Sequence, residues 1–201
     1  MRQSARILVT PRTALVSSLT VTPTRVVGGT AAAGTVTLNR AAPGADLEVS
    51  LVGNSPVVAV PAQVRVLSGQ NTATFPVTTS RPNGEVSATL TARLNDSTAS
   101  ATLVVVPRLA GLALTPVEAR GGAALEATVT LHEPAPTGGL LVRLSREPAR
   151  FLAAPARVRV PAGATSLRFA VRTRRVTNAT SVVLTAELDG ARVRSAVGLT
   201  R

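Results

Sequence analysis

The only histidine of the chain is His132. Acid–base catalysis draws on histidine more than on any other residue, and a serine triad in this chain has to run through His132. No Gly-x-Ser-x-Gly elbow accompanies it. His132 follows Val129-Thr-Leu131 and precedes Glu133-Pro134, the setting of a loop residue at a strand end. The ten carboxylates are scattered; the closest pair, Asp46 and Glu48, has i, i+2 spacing that puts both on the outward face of a strand. No Asp-x-Asp-x-Asp loop of the calcium type occurs. With no cysteine there is neither a disulfide nor a thiolate metal site, and the compartment stays open. Gly28-Gly29 and Gly121-Gly122 do not run into Gly-Lys-Ser/Thr, so they predict turns and strand bends rather than a phosphate loop. The residue types therefore predict no enzyme, no catalytic residue, no metal site and no cofactor.

What chemistry remains is cationic. All 22 basic residues are arginine, and the formal net charge is +12. Residues 16–107 hold five arginines against four acids, a net of +1, whereas residues 108–201 hold fourteen against six, a net of +8; residues 1–15 add +3. Around 157–175 the alternation places Val158, Val160, Leu167, Phe169 and Val171 inward, which turns Arg157, Arg159, Arg168 and Arg172 outward, with Arg174 and Arg175 following. If residues 161–166 form a connecting turn, Arg159 lies almost opposite Arg168, a like-charge pair that is unfavourable by about 0.2–1 kcal/mol. These six arginines are the candidate binding residues, facing an acidic surface polysaccharide, lipopolysaccharide phosphate or nucleic acid. The competing reading is a solvated face whose charge keeps strand edges from aggregating. Nucleic acid is disfavoured because stacking needs aromatic platforms and only Phe75, Phe151 and Phe169 exist. Sugar stacking is disfavoured in the same way, since Trp and Tyr are absent.

The elements that must position these groups are strands. Leu47, Val49 and Leu51 alternate with Glu48 and Ser50; Val86, Ala88, Leu90, Ala92 and Leu94 alternate with polar residues; Val182, Leu184, Ala186 and Leu188 do so again. No window has convincing helical spacing. Pro61 and Pro155 each open a Val-x-Val run, as proline can at a strand start. Asp189-Gly190 carries the two-residue hairpin signature, and Asn95-Asp96 holds the same place earlier in the chain.

That correspondence is general, because the chain repeats itself. Leu19-Thr-Val-Thr-Pro23, Gly28-Gly29 and Thr35-Val-Thr-Leu38 return as Leu112-Ala-Leu-Thr-Pro116, Gly121-Gly122 and Thr128-Val-Thr-Leu131 at an offset of 93. Pro61-Ala-Gln-Val-Arg-Val66 and Phe75 return at 94. The residues predict two tandem immunoglobulin-like β-sandwiches of about seven strands each, with residues 16–107 as repeat 1 and 108–201 as repeat 2. Val36 and Leu90 are candidate core residues near where antibody domains carry their disulfide. Pro107-Arg-Leu-Ala-Gly111 is a short linker, favouring an elongated pair with limited freedom.

The run Leu19-Thr-Val-Thr-Pro-Thr-Arg-Val-Val-Gly-Gly-Thr30 with Gly34-Thr-Val-Thr-Leu38, and Pro155-Ala-Arg-Val-Arg-Val-Pro-Ala-Gly-Ala-Thr-Ser-Leu-Arg-Phe169, resemble the opening and middle of bacterial immunoglobulin-like (Big-type) repeats of secreted and cell-surface proteins. The resemblance covers both copies and carries no site residues. It implies a β-sandwich array at the bacterial surface or outside the cell, serving as spacer, stalk or adhesive element beside neighbouring repeats or subunits. No run of some eighteen apolar residues exists to cross a bilayer.

Ser4-Ala-Arg-Ile-Leu-Val-Thr-Pro-Arg12 matches Ser100-Ala-Thr-Leu-Val-Val-Val-Pro-Arg108. Residues 1–15 therefore look like the closing strand of a preceding repeat plus a linker. Either the chain is an excerpt of a longer array, or that strand adds to a neighbouring subunit and makes the protein a filament subunit.

Overall fold

A computed structural model describes residues 13–201. The expected closing strand at residues 4–10 lies outside the described residues. In repeat 1 the chain forms β1 (Val16–Thr22), β2 (Arg25–Val27), β3 (Ala32–Leu38), β4 (Leu47–Gly53), β5 (Val58–Ala59), β6 (Gln63–Val66), β7 (Thr72–Thr79), β8 (Val86–Leu94) and β9 (Ser97–Val106). Repeat 2 forms β10 (Leu109–Thr115), β11 (Glu118–Arg120), β12 (Ala124–Leu131), β13 (Leu140–Glu147), β14 (Leu152–Ala153), β15 (Arg157–Val160), β16 (Ser166–Thr173), β17 (Thr180–Leu188) and β18 (Ala191–Thr200). Seven strands of four or more residues in each repeat are joined by two of two or three residues, so "about seven" describes the main frame. The helical content of the described residues is one 3-10 turn at Ala149–Phe151.

Each repeat stacks a four-stranded sheet on a five-stranded one. The orders are β1-β3-β7-β5 against β2-β9-β8-β4-β6, and β10-β12-β16-β14 against β11-β18-β17-β13-β15. The first strand of each repeat changes sheets at its proline: β1 pairs antiparallel with β3, and beyond Pro23 β2 pairs parallel with β9. β10 and β11 do the same on either side of Pro116. Proline suits this place because it has no amide hydrogen for either ladder. The result is the immunoglobulin-like sandwich that the alternation and punctuation predict.

The alternation also sorted the core. Val49, Leu51, Ala88, Leu90, Ala92, Val182, Leu184 and Ala186 are buried, as are Val36, Val158, Val160 and Val171. Two separate apolar clusters result, one drawn from Ala14 to Val105 and the other from Leu109 to Leu199. Neither contains a disulfide. Both depend on interdigitated aliphatic side chains.

The repeated glycine pairs have a steric cause. A Cβ on Gly28 would lie 2.6 Å from the Ser80 carbonyl oxygen, and one on Gly121 would lie 2.9 Å from that of Arg174, so the β2 and β11 ends press on the chain leaving β7 and β16. Gly29 and Gly122 then turn with φ of 94° and 101°. A threonine secures each turn. The Gly122 amide donates to Thr173 Oγ1 at 2.9 Å and that hydroxyl donates to the Ala123 carbonyl at 2.8 Å; Thr79 makes the matching bonds with Gly29 and Thr30.

Candidate functional site: the arginine faces of repeat 2 and the joint between repeats

β15 and β16 follow one another in sequence but belong to different sheets. Arg157 and Arg159 stand on β15, which pairs with β13 in the five-stranded sheet; Arg168 and Arg172 stand on β16, which pairs with β12 and β14 in the four-stranded sheet. The expected Arg159–Arg168 cross-strand pair therefore does not form, because residues 161–165 carry the chain from one layer to the other instead of closing a hairpin. Arg159 lies opposite Leu141 and Arg168 opposite Thr128. All six candidate arginines are exposed, but they divide among two opposite outer faces and one end of the sandwich. Arg168 is paired with Glu126 at 3.4 Å, and Arg159 Nη1 donates to the Gly138 carbonyl at 2.6 Å. Arg174 and Arg175 lie in the connection after β16, against Gly121 and Gly122.

The five-stranded sheet brings other arginines to Arg157. Its register aligns Arg157, Arg143, Glu187 and Arg192 in one row across β15, β13, β17 and β18, and Ser145, Thr185 and Arg194 in the next. With strands about 4.8 Å apart, the first row spans roughly 14 Å. Arg192 Nε donates to Glu187 Oε2 at 2.8 Å. A shallow hollow of about 800 Å³ adjoins the row, lined in part by Arg146, Glu147, Thr185, Arg192 and Arg194. Arg146 Nη1 donates to the Ala154 carbonyl at 3.0 Å, and its Nε is buried without a hydrogen-bond partner among the described residues. The matching first row of repeat 1 reads Gln63, Ser50, Arg93 and Thr98. The row of repeat 2 thus carries three arginines and one acid where that of repeat 1 carries one arginine. Such a face can hold carboxylate or phosphate groups by charge-assisted hydrogen bonds.

Seven carboxylates of the described residues, Asp46, Glu48, Glu85, Glu126, Glu133, Glu187 and Asp189, lie within 4 Å of an arginine. Arg65 lies 3.9 Å from Asp46 and 3.5 Å from Glu48, and Asp46 also accepts from the Ser68 amide at 2.9 Å. Among the described residues no group of three or more potential metal ligands assembles. His132 grips the linker: its amide donates to the Arg108 carbonyl at 3.0 Å, and Nδ1 donates to the Pro107 carbonyl at 2.8 Å. A carbonyl can only accept, so Nδ1 carries the hydrogen.

His132 belongs to a constellation that the sequence reading missed. Arg108, in the linker, donates from Nε to Glu133 Oε1 at 2.8 Å and places Nη1 3.5 Å from Asp189 Oδ2. The same Asp189 oxygen lies 3.7 Å from Arg81 Nε of repeat 1. The Asp189-Gly190 turn has φ of 52° and 86°, positive at both positions as its hairpin signature requires. It abuts repeat 1 so closely that a Cβ on Gly190 would lie 2.6 Å from Asn83 Oδ1. The Arg108 side chain is 15% exposed and that of Asp189 28%, so the contact is partly withdrawn from water. A chain of charges, Arg81–Asp189–Arg108–Glu133, therefore spans repeat 1, the linker and repeat 2.

No protein-family model matches the sequence, and no curated protein matches it either. Solved structures do resemble it. The D0–D1 domains of intimin align over 94% of this chain and 100% of theirs at 15% identity, with a TM-score of 0.40. The adhesin InvE of Yersinia pseudotuberculosis aligns over 91% of this chain and 58% of its own at 16% identity and a TM-score of 0.37. Red sea bream transglutaminase aligns over 91% of this chain and 31% of its own at 13% identity and a TM-score of 0.44.

Proposed function

We propose that the chain is a non-enzymatic spacer segment of a bacterial surface or secreted protein, in which residues 16–107 and 108–201 are successive repeats held at a set angle. The observation that carries this reading is the Asp189 bridge, which ties the hairpin turn of repeat 2 to both Arg81 and Arg108. A spacer transmits position only if its joints resist bending, and a short linker alone leaves relative motion open. Among the described residues no helix is long and apolar enough to cross a membrane. Because the chain lacks cysteine, spin labels can be placed at will on Thr74→Cys and Ala170→Cys, both exposed. Pulsed dipolar spectroscopy then gives a narrow distance distribution between repeats. Asp189→Asn keeps a residue tolerant of positive φ while removing the charge, as Asn95 does in repeat 1 with φ of 52°. It is expected to broaden the distribution; an unchanged width sinks the clamped-joint reading.

The arginine row favours a second reading, adhesion of repeat 2 to an acidic polysaccharide. Arg143, Arg157 and Arg192 share one face, and the matching positions of repeat 1 are Ser50, Gln63 and Thr98. The full chain is then retained on immobilised polygalacturonate, elutes earlier as salt rises, and loses retention with Arg143→Ser and Arg192→Ser. Equal retention of the double variant ends this reading.

A further inference from the structure

The surface of repeat 1 that receives repeat 2 has a counterpart at the far end of repeat 2. Around the first joint stand Val27, Arg81, Pro82, Asn83 and Pro107; by the internal repeat their equivalents are Arg120, Arg175, Val176, Thr177 and Arg201. The backbone frame is the same in both places. The Gly28 amide donates to the Val106 carbonyl at 2.9 Å, and the Gly121 amide to the Thr200 carbonyl at 2.8 Å. Gly29 packs on Arg81, with its Cβ position 3.6 Å from Cγ, and Gly122 packs on Arg175 at 3.7 Å. At the end of repeat 2 these residues enclose a hollow of about 470 Å³.

The two ends differ in charge. Arg81 meets Asp189 of the turn docked on it. Arg175, its equivalent, forms no ion pair with a described residue, and neither do Arg120 and Arg201 beside it. Where repeat 1 places Val27 and Pro107, repeat 2 places Arg120 and Arg201, so this end presents three guanidinium groups where the other presents one.

We propose that the hollow bounded by Arg120, Arg175 and Arg201 is a docking socket for the acidic hairpin turn of another repeat of this fold, with Arg175 taking the role Arg81 has at the first joint. The occupant is defined by the turn that fills the equivalent place: an acid held at positive φ, followed by a residue that passes close to the Thr177 position as Gly190 passes Asn83. A single exposed charge pair contributes little on its own. A covalent tether supplies an effective concentration in the millimolar range, which lets so small a contact order a joint.

This inference rests on the spacer reading and is tested beside it. Residues 108–201 are appended after Arg201 of the full chain to give three repeats, with labels on Ala170→Cys in repeat 2 and in the appended copy. The new joint is expected to give a distance distribution as narrow as the first joint in the same three-repeat chain. Arg175→Glu broadens it, whereas Arg175→Lys, which keeps the positive charge, retains the narrow form. A narrow first joint with a second joint equally broad before and after Arg175→Glu overturns the socket alone. A narrow second joint that Arg175→Glu leaves unchanged overturns it as well, whereas a broad first joint overturns the spacer reading with it.

Discussion

A one-methyl difference between the repeats decides how an aromatic ring packs. Gly34 on β3 faces Phe75 on β7, and the ring lies across the space a side chain would take: a Cβ there would be 2.7 Å from Cε1. In repeat 2 the facing pair is Ala127 and Phe169. Phe75 is accordingly buried at 4% exposure, whereas Phe169 packs on its core only in part. Overfilling a close-packed site is unfavourable by about 1–3 kcal/mol. Gly34→Ala is therefore expected to lower the stability of repeat 1 by that amount and to push the Phe75 ring outward. Urea titration followed at a Phe75 resonance checks both. An unchanged midpoint shows that the ring has room to spare and removes the argument.

Strand alternation carries one bit per residue, inward or outward, and that bit was correct for Val158, Arg159, Arg168 and Val171 alike. It does not say which sheet a strand joins. Placing Arg159 opposite Arg168 assumed that consecutive strands pair, but the chain crosses between layers after β15, as it does after β6 in repeat 1. The pairing of Arg157 with Arg143 depends on residues fourteen apart in sequence and that of Glu187 with Arg143 on residues forty-four apart, so no local window displays the row. The register sets a different like-charge pair opposite one another, Arg143 and Arg157, with Glu187 and its 2.8 Å bond to Arg192 on the other side. Glu187 thus pairs with Arg192 on one side and has Arg143 as its register neighbour on the other. If the row binds polyanions, Glu187→Gln raises retention on polygalacturonate in the assay where Arg143→Ser and Arg192→Ser lower it, a reversal of sign that loss of folding does not mimic.

At the scale of the molecule, the repeat made two β-sandwiches legible, whereas their joint was not. Asp189-Gly190 was readable as a turn, but glycine and asparagine satisfy positive φ as well as aspartate does, so the carboxylate serves something beyond the turn. Its partners, Arg81 and Arg108, are each more than eighty residues away in sequence. The joint is built from charges and linker hydrogen bonds, while the two apolar clusters share no residue. Orientation and stability are consequently separable. Leu184 is fully buried in the second cluster, and truncating such a leucine is unfavourable by about 2–5 kcal/mol. Leu184→Ala should therefore move the unfolding of repeat 2 by that amount, and leave repeat 1 within about 0.5 kcal/mol, since distant sites with no shared partners act additively. In urea, with one resonance followed in each repeat, the two transitions separate. If both shift together, the cores are energetically coupled through the joint, and a charge-clamped spacer of independently stable units is the wrong picture. If only repeat 2 shifts, each sandwich holds its own fold, and Arg81, Asp189 and Arg108 act on the angle between them.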